Sequence, residues 1–213
     1  MVARMTGRFP RTVALRVRAL DGQERRVDVR PVSYPDIRQL RREEWIDRNR
    51  AVVEEKTGGR LGYVHIDRMN WPDFSRFQQE VFSLGYGREG LIIDVRFNSG
   101  GLISDHLLTI LCRPRHAVTV PRGGEPSYPN GYLVYSSWDK PIILLCNEYT
   151  ESNAEILCHA VQQLRRGKIV GTPTPGSVIS TGSAKILDLG TLRVPERSWF
   201  RGDNGVDMEM GGV

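Results

Sequence analysis

The chain has 213 residues, 39% of them apolar and 26% charged, which fits one sizeable soluble core or a domain with a fragment of another. The formal charge is +5, but the arginines are interleaved with acids, as in Arg41-Arg42-Glu43-Glu44, so they describe a solvated surface and not a phosphate-binding track. No apolar run approaches the ~20 residues of a membrane span, and the basic start, Met1 to Arg8, leads into no signal-peptide core. With no leader and three cysteines (Cys112, Cys146, Cys158) at neither disulfide-framework nor metal-ligand spacing, the expectation is a reducing, cytoplasmic setting.

In chain order, Thr12–Val29 alternates as a β-hairpin, with Val13, Leu15 and Val17 before an Asp21-Gly22 turn and Val27 and Val29 after it. Residues 33–58 are polar and helix-prone, a linker helix ended by Gly58-Gly59. Arg60–Ile66 reads as a strand. Asp73–Leu84 reads as an amphipathic helix with Phe74, Phe77, Val81 and Leu84 on one face. Gly90–Val95 is a nearly continuous apolar strand, of the kind buried on both faces of a parallel sheet. Ser104–Cys112 is the next helix. The loop-rich stretch to Trp138 carries short strand patterns at Ala117–Val120 and Tyr132–Tyr135. Pro141–Cys146 is a buried strand, Ser152–Arg166 a helix and Lys168–Val170 a short strand. Thr172–Ser183 is a loop, Lys185–Leu189 and Thr191–Val194 form a hairpin, and the tail from Arg201 is irregular. Strand and helix alternating from Arg60 to Val170 predict an α/β fold of right-handed βαβ units.

Two motifs carry chemistry. Ser152, in Asn147-Glu148-Tyr149-Thr150-Glu151-Ser152-Asn153-Ala154-Glu155, stands where a buried strand hands over to a helix. Taken alone it is an ordinary helix cap, yet the place also suits a nucleophile with helix-terminal amides beside it. Asp94-Val95-Arg96-Phe97-Asn98-Ser99-Gly100-Gly101 ends another buried strand. Its paired glycines let backbone amides approach a ligand, although a tight turn with no ligand has the same look. Both motifs lie at carboxyl ends of parallel strands, where open α/β sheets place their sites. A nucleophile on one turn and amide donors on its neighbour is the layout acyl transfer needs.

With those residues in view, the chain resembles the S41 serine peptidases, the tail-specific and tricorn-type proteases. The resemblance is carried by Gly59–Ile66, Gly90–Gly101, Asn147–Glu155, Gly167–Thr174 and Asp207–Val213. It implies a Clp-peptidase/crotonase-like layered core of repeated ββα and βαβ units over residues 59–213, clipped at its end. Residues 1–32 would then be the closing hairpin of a truncated PDZ-like domain, and 33–58 a linker helix. It also implies serine-type endopeptidase or tail-specific processing activity on peptides or unfolded proteins, with homo-oligomers in the family. Ser152 matches the nucleophile, the Asn153 amide one oxyanion donor, and Gly100 or Gly101 the other. The lysine that tail-specific members place after the Gly-Thr-Pro-Thr turn is absent: Pro175-Gly176-Ser177-Val178 follows, and Lys185 comes too late. The match is therefore to the tricorn-type branch, where Glu209 corresponds to a glutamate that orients the base. That branch's catalytic histidine lies upstream of the hairpin, and His65, His106, His116 and His159 match none of its positions. The resemblance thus implies a base supplied from an upstream segment, and a chain inactive alone. No cofactor, metal or nucleic acid is implied. Two other readings stand beside it: a non-catalytic peptide-binding module, and a crotonase-like acyl-coenzyme A enzyme with Glu151 or Glu155 as its acid.

Overall fold

The computed structural model describes residues 11–114, 116–126 and 137–213. The chain forms two compact units, residues 1–49 and 50–213.

In the first unit, β1 (Val13–Arg18) and β2 (Glu24–Val29) pair antiparallel, Val13 opposite Val29 and Leu15 opposite Val27. Asp21 closes the turn by accepting the Gln23 amide at 3.0 Å. Helix α1 (Tyr34–Thr57) begins in this unit and ends in the second. Ser33 and Asp36 start it, the Ser33 hydroxyl donating to Asp36 Oδ2 at 2.6 Å and accepting the Asp36 amide at 3.3 Å.

The second unit is built on a four-stranded parallel sheet in the order β3 (Leu61–His65), β4 (Gly90–Asp94), β5 (Ile142–Cys146), β6 (Gly167–Gly171). Three crossover helices connect these strands: α2 (Trp71–Ser83), α3 (Ser104–Leu111) and α4 (Asn153–Gln163). Side chains alternate across a strand, and the register puts Val64, Leu91, Ile93, Ile142 and Leu144 on one face. These pack with Phe74 and Phe77 of α2, Leu107 and Ile110 of α3, and Leu157 and Val161 of α4 in one buried cluster. All three helices therefore cover the same face, as sequential right-handed crossovers require. The other face buries a polar set: the Tyr63 hydroxyl donates to Asp94 Oδ2 at 2.6 Å, and Arg96 grips both Asp94 oxygens.

Beyond the sheet, β7 (Ser180–Ile186) and β8 (Gly190–Arg197) form an antiparallel ribbon. A smaller cluster of Ile156, Val178, Met208 and Trp199 fixes the tail against α4. Among the described residues, no helix is long and apolar enough to cross a membrane.

Three sequence expectations need correction. Ala117–Val120 forms no strand, only an isolated bridge at Thr119, and Tyr132–Tyr135 lies outside the described residues. Helix α4 stops at Gln163, before Arg166. Arg165 takes a left-handed φ of 50°, the Arg166 amide reaches back to Val161 O at 2.9 Å, and the Arg165 amide to Gln162 O at 3.0 Å. This is a Schellman-type ending with arginine where glycine is usual, so composition gave no warning of it. The last hairpin starts at Ser180, five residues before its expected edge at Lys185, because cross-strand pairing to Arg193–Arg197 extends through residues lacking apolar alternation.

Candidate active site

The two motifs meet at the carboxyl ends of β4 and β5. Ser152 precedes α4 with φ 56°, a left-handed conformation rare for a serine, at a sharp strand-to-helix turn. The residue is half-buried. Gly100 has φ +85°, and a β-carbon placed on it would lie 2.5 Å from Ser152 Cβ, 2.9 Å from Glu151 O and 3.1 Å from Asn153 N. The glycine turn and the serine turn therefore touch, and only a residue without a side chain fits between them.

Polar side chains staple these turns together. Asn147 Oδ1 accepts the Phe97 amide at 3.0 Å, and the Thr150 hydroxyl donates to Val95 O at 3.0 Å. The Glu151 amide donates to Asn98 O at 2.8 Å. Asn98, wholly buried, donates through Nδ2 to Ile66 O at 2.9 Å and accepts the Gly100 amide on Oδ1 at 2.8 Å. Residues just past the turns add a further tie. Helix α3 opens at Ile103, which has no capping side chain; Asn153 Oδ1 instead accepts the Ser104 amide, and Asn153 Nδ2 donates to Ser104 Oγ, both at 2.9 Å.

The backbone amides differ in what they are committed to. The Gly100 amide is spent on Asn98. Gly101 bridges Met69 through its neighbours: Met69 donates to Gly100 O and Leu102 donates to Met69 O, each through its amide. In a parallel ladder this turns the intervening Gly101 amide away from Met69. Asn153 is the first residue of α4, and its amide is one of the four that a helix start leaves without an internal acceptor. Neither the Gly101 nor the Asn153 amide has a partner among the described residues. The open Asn153 donor directly follows Ser152, at the positive end of a helix dipole, and the open Gly101 donor follows the glycine that touches Ser152.

Glu209 lies in the tail, half-buried, and its Oε2 accepts the amides of Val178 and Ile179, both at 2.8 Å. Glu155, weighed from sequence only as a crotonase-type acid, is buried and accepts the Ser152 amide on Oε1 at 3.0 Å. Its two further donors, Gly176 and Ser177, sit 21 and 22 residues away, and no short-range signal announces them.

Three of the four histidines sit in defined surroundings. His65 is buried in β3 with Nε2 3.9 Å from Asp67. His106 packs its ring against Trp71 and Phe74, centroids 4.7 and 5.7 Å away. On α4, burial and the Arg201 cation push His159 below its ordinary value, with Asp203 opposing. Cys146 and Cys158 are buried neighbours under the serine turn, and the hydrogen bond to Cys146 together with burial pushes the Cys158 thiol well up.

The profile of peptidase family S41 matches residues 60–213, well over half of the chain. The tricorn protease of Thermoplasma volcanium is 34% identical over 215 residues, covering 98% of this chain and 20% of that protein. A crystal structure of the tricorn protease superposes with a TM-score of 0.79 at 30% identity, covering 99% of this chain and 20% of that one. The photosystem II D1 C-terminal processing protease gives a TM-score of 0.52 at 25% identity, over 72% of this chain and 40% of that one. The chain thus spans about a fifth of the tricorn relatives it matches, and its α/β fold with a mostly parallel sheet is theirs. The chain belongs to peptidase family S41.

Proposed function

We propose that this chain is the core of a serine peptidase in which Ser152 Oγ attacks the carbonyl of a peptide bond. A histidine outside this chain's four takes the hydroxyl proton and passes it to the leaving amine. The oxygen of the tetrahedral intermediate lies between the Gly101 and Asn153 amides. Of the paired glycines, Gly101 is preferred because Gly100 already gives its amide to Asn98 at 2.8 Å. Glu209, with one oxygen anchored by two amides, offers the other to orient the histidine. Water then hydrolyses the acyl-serine.

The observation that carries the reading is the contact of Gly100 with Ser152, which joins the serine turn to the glycine turn, each carrying one uncommitted amide. Hydrogen-bond donors fixed in advance where negative charge develops are the largest single contribution in acyl transfer. Short or unfolded peptides are the substrate class proposed, and the finer fold reading goes with it: a Clp-peptidase/crotonase-like core behind the closing hairpin of a PDZ-like domain at 1–32.

Fluorophosphonate labelling with peptide mapping tests the proposal. The adduct is expected on Ser152 and absent from Ser152→Ala. Labelling is expected to be slow in this chain alone and faster by about a thousandfold or more in a longer protein carrying the upstream histidine, the scale on which triad members contribute. An adduct on another residue, or none in the longer protein, overturns the assignment.

A further inference from the structure

Glu155 does more than cap a helix. It is 1% exposed, and among the described residues no cation pairs with it. Its charge is met by backbone amides: Ser152 at 3.0 Å and Ser177 at 2.8 Å on Oε1, and Gly176 at 2.7 Å on Oε2. The next two amides of the same loop, Val178 and Ile179, both donate to Glu209 Oε2 at 2.8 Å. Four consecutive N–H groups are therefore divided between two carboxylates. In a capping box the side chain of the glutamate makes only one bond, to the cap residue's own amide. Successive amides converging on an anion form a nest, whose shape the anion itself maintains.

The loop is held from its far side as well. The Met210 amide donates to Gly176 O at 2.7 Å, and the Val213 amide to Thr174 Oγ1 at 2.8 Å. A β-carbon on Gly176 would lie 2.6 Å from Gly211 N. The loop thus has little freedom to let Glu209 move independently of Glu155.

We propose that Glu155 is a positioning residue that orients the Ser152 turn and the Glu209 carboxylate together, through the shared amides of residues 176–179. The proposal rests on the reading of Ser152 as nucleophile and Glu209 as the acid that orients the base.

The variant Glu155→Gln keeps the side chain's size but offers one acceptor oxygen in place of two, so one of the three amides loses its partner. Two measurements decide the matter: amide exchange on this chain, and labelling on the longer protein that carries the upstream histidine, because Glu209 is read as orienting that histidine. In amide hydrogen exchange, Val178 and Ile179 are expected to exchange about tenfold faster in Glu155→Gln, roughly the loss of one hydrogen bond, although both bond to Glu209. Acceleration confined to Gly176 and Ser177 overturns the relay. In fluorophosphonate labelling, kinact is expected to fall about tenfold with KI unchanged, and Glu155→Gln combined with Glu209→Gln to lose less than the product of the single losses. Multiplicative losses overturn it too.

Should Glu155→Gln not fold, Ser177→Pro removes one donor at an exposed position and leaves both carboxylates in place. It must lower kinact and speed exchange at Val178; no change in either refutes the relay. If the unaltered longer protein labels nowhere, the reading of Ser152 fails, while the exchange measurement still decides the role of Glu155.

Discussion

Gly100 has no room for a methyl group. Its φ of +85° is costly for any L side chain, and the added carbon would press on Ser152 Cβ at 2.5 Å and on Glu151 O at 2.9 Å. Those atoms belong to a turn fixed by buried hydrogen bonds, so the strain cannot be relieved by rotating a flexible side chain. Gly100→Ala is expected to cost about 2–4 kcal/mol in stability, summing an unfavourable φ and overpacking. If it folds, Ser152 labelling should slow by about a hundredfold, since a displacement near 1 Å at the reacting centre has that effect. Urea denaturation and labelling kinetics check both. A variant with unchanged labelling would mean that the glycine turn and the serine turn do not depend on each other. By contrast, Gly22 meets nothing within 4 Å, so the same substitution there carries only the cost of its φ of +84°.

The elements need their turns stapled because the strands alone do not fix the geometry beyond their ends. Asn98 does most of this after β4, joining the Ile66 carbonyl, the Gly100 amide and the Glu151 amide. Asn98→Ala leaves the buried Ile66 carbonyl and the half-buried Gly100 amide without their partner, at about 2 kcal/mol or more, and should lower both the urea midpoint and the Ser152 labelling rate. A loss of stability alone would make Asn98 merely structural. Much of this level was legible in the sequence. The apolar runs at β4 and β5, the glycine pair, and Ser152 before a helical pattern are local signals, and they placed both motifs at strand ends. What was not legible is bonded across distance. Asn147 meets Phe97 across 50 residues, Thr150 meets Val95 across 55, and Glu155 reaches Gly176 across 21. Each of these side chains reads locally as a turn or cap residue, so nothing in its neighbourhood in the sequence names its partner. Nor did the edge of β7 show, because Ser180-Thr181-Gly182-Ser183 has no apolar alternation and becomes a strand only by pairing with β8.

Across the whole chain, the buried core and the antiparallel ribbons differ in what holds them. Strands β4 and β5 are central in the parallel sheet, and Ile93 and Leu144 on them are fully buried under the helices. The β7–β8 ribbon pairs with itself, and almost every residue along it is exposed. Its register sets Ala184 opposite Leu192 and Gly182 opposite Val194 on one face, with Ser183 and Arg193 on the other. Leu187 and Leu189 at the tip are 83% and 85% exposed. A two-stranded ribbon with so little buried surface is marginal in water, and local opening free energy follows buried contact. Amide exchange should therefore fall into classes, with β4 and β5 slowest and β7–β8 faster by about a hundredfold or more, the ratio of a core opening to a local one differing by a few kcal/mol. Brief thermolysin treatment should cut first at Leu187 or Leu189 and leave the β3–β6 sheet intact. The paired glycines and Ser152 stand on the slow class. Equal protection in ribbon and sheet would mean that the exposed face of β7–β8 is covered in solution.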